Sequence, residues 1–124
     1  MNDSEELWDK RYSDNPVLNP PSEFLEEFEQ YLPTQGTCVD IAGGNGRNAL
    51  WFAKKGYTTS VIDISSVALN QATKSAQSQK VELECIYWDI EKNLLPPERT
   101  WDIALLTLFL NRGVLQTANQ YLNP

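Results

Sequence analysis

Short apolar runs alternate with longer amphipathic segments along this chain. Runs that are rich in β-branched and aromatic residues, and bounded by glycine, proline or polar clusters, predict strands. The last run is apolar enough to be buried on both faces of a sheet. The predicted strands are 36–42, 57–64, 81–90 and 101–110.

The remaining segments have the apolar spacing or the composition of helices. Ser22 opens one such segment, and Ser65 and Ser66 open another. These serines are expected to act as N-caps, because a serine hydroxyl accepts a backbone N–H of the first turn. Gly56 is expected to end the helix that follows the first strand. The predicted helices are 4–12, 22–32, 46–56, 65–79 and 112–124, with a proline-rich break at 15–22.

This order of elements predicts an α/β fold. Strands that alternate with helices of about 10–15 residues form βαβ units and therefore a parallel sheet. Right-handed crossovers would place the four strands in the order 3-2-1-4, a doubly wound, Rossmann-like arrangement. We predict one domain over residues 1–124, with an N-terminal helical segment at 1–34. The turn after the first strand then lies between strands 1 and 4, where ligands bind in such sheets.

Three glycines, Gly43, Gly44 and Gly46, occupy three of four consecutive positions in that turn. Glycine lets the backbone approach a ligand closely, so the turn predicts a binding site for a nucleotide-like molecule. Residues 44–49 fit the dinucleotide pattern G-x-G-x-x-G/A, with an acidic residue at the end of the second strand. Asp40 argues against a dinucleotide, because its carboxylate would face two phosphates. It favours a ligand that carries an ammonium or sulfonium group.

Composition narrows the classes of partner and site. The net charge of −7 repels phosphate backbones, so no nucleic-acid partner is expected. The absence of histidine removes histidine-based triads and most zinc sites, and no metal is predicted. Cys38 and Cys85 lie in apolar runs without CxxC spacing and are expected to be buried, reduced thiols of a cytoplasmic protein.

No membrane partner is expected either. The first ten residues are acidic and lack the apolar region of a signal peptide. The longest apolar run, 103–110, is far shorter than the roughly 20 residues that a membrane span needs.

The glycine turn resembles a known family. "VDIAGGNGRNA" at 39–49 is similar to the nucleotide-binding loop of class I S-adenosylmethionine-dependent methyltransferases, hydrophobic-hydrophobic-Asp-hydrophobic-Gly-x-Gly-x-Gly. Asp40 takes the acidic place, Ala42 replaces the first glycine, and two later glycines match. "VIDIS" and "YWDI" resemble the motifs that end the family's second and third strands.

Within this family the chain is most similar to the tellurite-resistance and thiopurine-type small-molecule methyltransferases. "LWDKRY" at 7–12 resembles their N-terminal W-x-x-R-Y segment, which folds over the cofactor. "LFLNRGVLQTANQYLNP" at 108–124 resembles the segment after their fourth strand.

The resemblance implies S-adenosyl-L-methionine as cofactor, S-adenosyl-L-homocysteine as product and a small molecule as methyl acceptor. It implies that Asp63 accepts hydrogen bonds from the ribose hydroxyls and that Asp89 holds the adenine amino group. Arg11 would bind the methionine carboxylate, which suits a guanidinium. The implied cofactor residues are Trp8, Arg11, Tyr12, Asp40, Ala42, Gly43, Gly44, Gly46, Asn48, Asp63, Ile64, Asp89, Ile90 and Thr107.

Plainer roles stay open for four of these residues. Asp63 could cap the following helix, and Asp89 could be a solvated turn residue. Trp8 could be a packing anchor of the first helix, and Arg11 could pair with a surface carboxylate.

Methyl transfer to a small molecule needs no metal, because the sulfonium group already activates the methyl carbon. A soft nucleophile such as a thiolate, selenide or telluride would need little help from a base, which agrees with the absence of histidine. The sequence assigns no catalytic residue.

The family's sheet has seven strands, and this chain is predicted to be a C-terminally truncated form that lacks the last three. Strand 4 would then be an open edge, and we expect a second copy or a partner chain to cover it. Two functions follow. One is a small-molecule methyltransferase, and the other is a truncated, non-catalytic S-adenosylmethionine-binding module that works in an oligomer or complex. A dinucleotide oxidoreductase is a third, weaker alternative.

Overall fold

The structure is a computed structural model and describes residues 3–89 and 100–106. Several predictions fall on other residues. The helix at 112–124, the end of the fourth strand, and the site residues Ile90 and Thr107 lie outside the described part of the chain.

After an N-terminal helical segment, helices and strands alternate as far as the third strand. The chain order is α1 (Asp3–Asp14), α2 (Phe24–Phe28), a 3-10 turn (Glu29–Tyr31), β1 (Thr37–Ile41), α3 (Arg47–Lys54), β2 (Thr58–Asp63), α4 (Ser66–Gln79), β3 (Glu84–Tyr87) and β4 (Ile103–Leu106).

The four strands form one parallel sheet in the order β3-β2-β1-β4. The predicted α/β class and the predicted strand order are therefore confirmed. The register places Asp40 of β1 beside Val61 of β2 and Leu105 of β4. Because side chains alternate along a strand, Asp40, Val61 and Asp63 share one face of the sheet. The two acidic residues thus meet near the carboxyl ends of neighbouring strands.

That face is covered by α3 and α4 through apolar contacts. Ala49 of α3 and two residues of α4, Leu69 and Ala72, pack on Val61, while Phe52 packs with Cys38. On the opposite face Val39, Ile41, Ile62 and Trp101 form a second buried cluster. Burial of both faces fixes the strand register, because a slip of one residue would exchange the two sets.

Two boundary predictions held and two were wrong. The Ser65 hydroxyl caps α4 by accepting the N–H of Ala68 at 3.1 Å. Gly56 follows the C-cap of α3 with a left-handed φ of 97°. By contrast, Ser22 caps no helix, because α2 begins at Phe24 with Glu23 at its N-cap and no side-chain cap bond.

The predicted third strand begins three residues too early. Lys80 adopts a left-handed conformation with a φ of 59°, and the N–H of Val81 donates to the carbonyl of Ala76 at 3.0 Å. Val81, the first residue of the apolar run, thereby caps the C-terminus of α4 instead of joining the sheet. Pairing of β3 with β2 begins at Glu84.

The prediction that the fourth strand is buried on both faces is not met over the described residues. Ile103, Ala104 and Leu105 are only half-buried. The reason is that β4 pairs with β1 alone within the described part of the chain.

Candidate functional site

The turn between β1 and α3 is built from left-handed backbone. Ala42, Gly44 and Gly46 have φ values of 58°, 62° and 92°. The N–H of Gly43 donates to the carbonyl of Ile62 at 3.1 Å, which ties the turn to the end of β2. Alanine pays a steric cost in this region that glycine does not, so Ala42 is the strained position of the turn.

Neighbouring side chains leave no room for larger residues at two of the glycines. A Cβ on Gly43 would lie 2.6 Å from Val61 Cγ2 and 2.7 Å from the carboxyl carbon of Asp40. A Cβ on Gly44 would overlap the Tyr12 hydroxyl. The glycines therefore let the turn fit between the carboxylate below it and the tyrosine above it.

Asp63 joins the glycine turn to the start of α4. Its Oδ2 accepts the N–H of Gly44 at 2.8 Å, and its Oδ1 accepts the N–H of Ser65 at 2.9 Å. Burial raises the pKa of Asp63, and these backbone bonds oppose the rise. Each carboxylate oxygen can accept a further hydrogen bond. The N-cap of α4 is Ser65, not Asp63. Asp63 instead links the glycine turn to this helix and keeps lone pairs for a ligand.

Asp40 is a buried carboxylate with an unsatisfied oxygen. The residue is 1% exposed, and its Oδ1 has no hydrogen-bond partner among the described residues. Burial and then the negative charge of Asp63 raise the pKa of Asp40 to about 7, and Arg47 opposes the rise. A buried polar atom without a partner is costly, so the arrangement favours a donor or a cation at this place.

Three predicted residues of α1 lie together. The ring of Tyr12 is 6.1 Å from that of Trp8, and the guanidinium of Arg11 lies over the Trp8 ring at 4.8 Å. Burial, then Asp63 and Asp40, raise the pKa of Tyr12 to about 12. α1 therefore brings its tyrosine to the two acidic residues of the sheet.

The other predicted residues have different environments. The buried Oδ1 of Asn48 accepts the N–H of Ser22 at 2.9 Å, so this amide holds the proline-rich segment. Asp89 is half-buried just after β3, where the N–H of Trp88 donates to the carbonyl of Asp63 at 3.1 Å. Ile64 is half-buried next to Asp63. Their roles toward a cofactor stay predictions.

Sequence reasoning missed the residues that fasten α1 to the rest of the domain. Asp9 accepts a hydrogen bond from Ser65, Glu5 accepts one from Tyr87, and Gln71 donates one to the backbone of Tyr12. The only local indication was spacing: Glu5, Asp9 and Tyr12 are four and three residues apart, and so share one face of a helix.

The described residues contain no group of three or more metal-binding side chains. None of the described helices has the length and apolar character to span a membrane.

The methyltransferase domain family matches residues 38–124, more than half of the chain. No curated protein matches it at a significant level.

Solved structures with a similar fold include two S-adenosylmethionine-dependent methyltransferases and the protein TehB. An S-adenosylmethionine-dependent methyltransferase from Geobacter sulfurreducens, in complex with S-adenosyl-L-homocysteine, has a TM-score of 0.72 and 18% identity over 100% of this chain and 53% of its own. One from Thiobacillus denitrificans, in complex with the same molecule, has a TM-score of 0.70 and 20% identity over 95% and 51%. TehB from Haemophilus influenzae has a TM-score of 0.69 and 16% identity over 94% and 42%.

The TM-scores of these structures show a shared fold. The chain spans between 42% and 53% of the length of these three proteins.

Proposed function

Because the chain belongs to the methyltransferase domain family, we propose that it binds S-adenosyl-L-methionine at the glycine turn and transfers its methyl group to a small molecule. The observation that carries the proposal is the buried Oδ1 of Asp40 behind this turn, which has no hydrogen-bond partner in the described part of the chain. A phosphate ligand would be repelled there, whereas an ammonium group would stabilise the carboxylate.

Asp63 is suited to hold the ribose. Both of its oxygens are fixed by backbone N–H groups and keep lone pairs for the sugar hydroxyls. Gly43 and Gly44 would let the methionine part of the cofactor approach the backbone. We assign Asp89 and Ile90 to the adenine end by their place after β3.

The N-terminal helical segment, 1–34, would cover the bound cofactor. Tyr12 already lies against Gly44, close enough to Asp40 and Asp63 for both carboxylates to raise its pKa. Trp8 and Arg11 are neighbours of Tyr12 on α1. Arg11 would leave the Trp8 ring to meet the methionine carboxylate.

When bound, the cofactor supplies a methyl carbon that a nucleophile attacks in line as the carbon–sulfur bond breaks and its electron pair passes to sulfur. The residues of this chain hold the reacting group in position and shield it from water. Asp40 and Asp63 would hold the ammonium group and the ribose of the donor, and α1 would close over it. We propose a soft acceptor, such as a thiolate, selenide or telluride, since no base is assigned.

A second candidate is a cofactor-binding module without turnover. What supports it is that the assigned residues all face the donor, in a chain that spans about half the length of its solved relatives.

Methyl-labelled S-adenosylmethionine distinguishes the two candidates. The protein would be incubated with a thiopurine, a small alkyl thiol and selenide. The Asp63→Ala variant would serve as the matched negative control. We expect label in the acceptor and formation of S-adenosyl-L-homocysteine with at least one of them. Binding without transfer to any acceptor would favour the module, and absence of binding would contradict both.

A further inference from the structure

Asp9 on α1 contacts the first turn of α4. Its Oδ1 accepts the hydroxyl of Ser65 at 2.6 Å, and the N–H of Val67 approaches the same oxygen at 3.4 Å. Ser65 is fully buried, and Asp9 is half-buried. A carboxylate at the N-terminus of a 14-residue helix also meets the positive end of the helix dipole.

Ser65 connects this contact to the cofactor site. Its backbone N–H donates to Oδ1 of Asp63, while its hydroxyl accepts the N–H of Ala68 and donates to Asp9. One buried residue thus joins the carboxylate proposed for the ribose to the helix proposed to cover the cofactor.

Two other polar contacts between described residues of α1 and the rest of the domain are weaker anchors. Tyr87 donates to Oε2 of Glu5 at 2.8 Å, but Tyr87 is 51% exposed and solvent screens the bond. The side-chain amide of Gln71 donates to the carbonyl of Tyr12 at 2.9 Å, a neutral hydrogen bond. Asp9 makes a charge-assisted bond to a buried partner, and such bonds are the stronger kind.

Apolar packing adds little to hold the outer face of α1. Leu7 and Trp8 are 48% and 41% exposed. Asp9 lies three residues before Tyr12, so both project from the same face of the helix. Loss of the Asp9 contact is therefore expected to shift Tyr12 from its place over Gly44.

We infer that Asp9 is a positioning residue: through Ser65 it fastens α1 so that Tyr12 covers the glycine turn and the cofactor is retained. The inference rests on the proposed function, since it assumes that the ligand of the turn is S-adenosylmethionine. It assigns Asp9 no contact with the reacting atoms.

The test compares two aspartates of the same helix. Asp9→Ala removes the anchor. Asp14→Ala is the control, because within the described residues the side chain of Asp14 makes only an exposed pair with Lys10 at 3.4 Å. Affinities for S-adenosyl-L-methionine and S-adenosyl-L-homocysteine are measured by calorimetry. We expect Asp9→Ala to weaken both by about tenfold, or about 1.4 kcal/mol, and Asp14→Ala to leave both unchanged.

Two further variants show whether Asp9 acts through Ser65. Asp9→Asn keeps an oxygen for the serine hydroxyl but loses the charge, so we expect a weakening of only about threefold. In the Ser65→Ala background, Asp9→Ala should cause little additional loss, since the two changes remove the same contact. Equal losses from Asp9→Ala in both backgrounds would overturn the inference.

Hydrogen exchange separates positioning from a purely structural role. Asp9→Ala should speed exchange of the α1 amides, whereas a residue that only capped α4 would alter α4 and the melting temperature and leave cofactor affinity intact. That second pattern would overturn the inference. If Asp9→Ala does not fold, Asp9→Asn provides the test. An affinity of Asp9→Asn equal to that of the wild type would then overturn the inference.

The result also distinguishes the two proposals. If the wild type binds neither molecule, the proposed function fails, and α1 exchange in the ligand-free variants still tests the anchor. If the wild type binds and Asp9→Ala behaves like Asp14→Ala, only the present inference fails.

Discussion

At the scale of single residues, the charge of Asp40 is the least compensated feature of the site. Its Oδ1 has no described partner, and the described charges near it are the carboxylate of Asp63 and the guanidinium of Arg47, with the phenol of Tyr12 above the turn. Its neighbour on β1, the buried Cys38 thiol, has its own pKa raised to about 12 by burial and by Asp40. Arg47 donates to the carbonyl of Pro20 and forms no ion pair with Asp40 among the described residues, so a cation in direct contact with Oδ1 is what this set lacks.

Cofactor affinity should therefore depend on pH. Because the pKa of Asp40 is raised to about 7, a cationic ligand has to displace a proton below that pH. We expect the affinity for S-adenosylmethionine to rise between about pH 5.5 and pH 7.5, by at most about tenfold per unit. Calorimetry across this range measures it, with Asp40→Asn as the control that should bind weakly and lose the dependence. A flat profile in the wild type would rule out proton displacement.

The ligand-free protein should show the opposite trend in stability. The pKa of Asp40 is higher in the folded chain, about 7, than its ordinary value of 3.8, so the folded state binds more protons between these values. The free energy of unfolding should fall as the pH rises through this window and then level off. Urea titrations should show Asp40→Asn to be more stable than the wild type above pH 7, by about 1 kcal/mol or more. Lower stability of the variant there would contradict the burial argument.

At the scale of elements, the glycine turn stores strain at one position. Ala42 has a left-handed φ of 58°, where the family pattern has glycine. Ala42→Gly should relieve roughly 1–2 kcal/mol of steric cost and lose roughly 0.5–1 kcal/mol to the greater freedom of the unfolded glycine. We expect a net gain of up to about 1.5 kcal/mol in the free energy of unfolding. Chemical denaturation checks this, and a loss of stability would show that the alanine methyl group packs favourably.

Features that are set by neighbouring residues could be predicted from the sequence. Features that depend on residues far apart in the chain were missed. The Ser65 cap and the glycine turn could be found because each is set within a few residues. Ser22 was misjudged because α2 begins only at Phe24, while the N–H of Ser22 donates to the side chain of Asn48, 26 residues later. Likewise, the bond between Ser65 and Asp9 joins residues 56 positions apart, and no periodicity reveals such a pair.

At the scale of the whole molecule, the feature that bears on assembly is the edge of β4. Ile103 and Leu105 are half-buried, and β4 pairs on one side only within the described part of the chain. We propose that a second copy or another chain covers this edge, since unpaired strand edges favour such contacts. Sedimentation over a range of protein concentrations should then show a dimer. A monomer at every concentration would contradict pairing between copies.

The sequence predicted the parallel sheet and its strand order because both follow from alternating elements and the handedness of crossovers. It placed Asp40 and Asp63 at strand ends, and the sheet brings them to one face below the glycine turn. It could not predict which oxygen would be left without a partner. That detail depends on how burial, the turn and α1 fit together.

The glycine turn is proposed to bind S-adenosylmethionine and not a dinucleotide. The most direct measurement is a calorimetric titration of the wild-type protein with S-adenosyl-L-methionine, S-adenosyl-L-homocysteine and NAD under the same conditions. We predict saturable binding of the first two and none of NAD, because the uncompensated carboxylate of Asp40 favours an ammonium group and repels a pyrophosphate. Binding of NAD, or failure to bind either of the first two, would contradict the account.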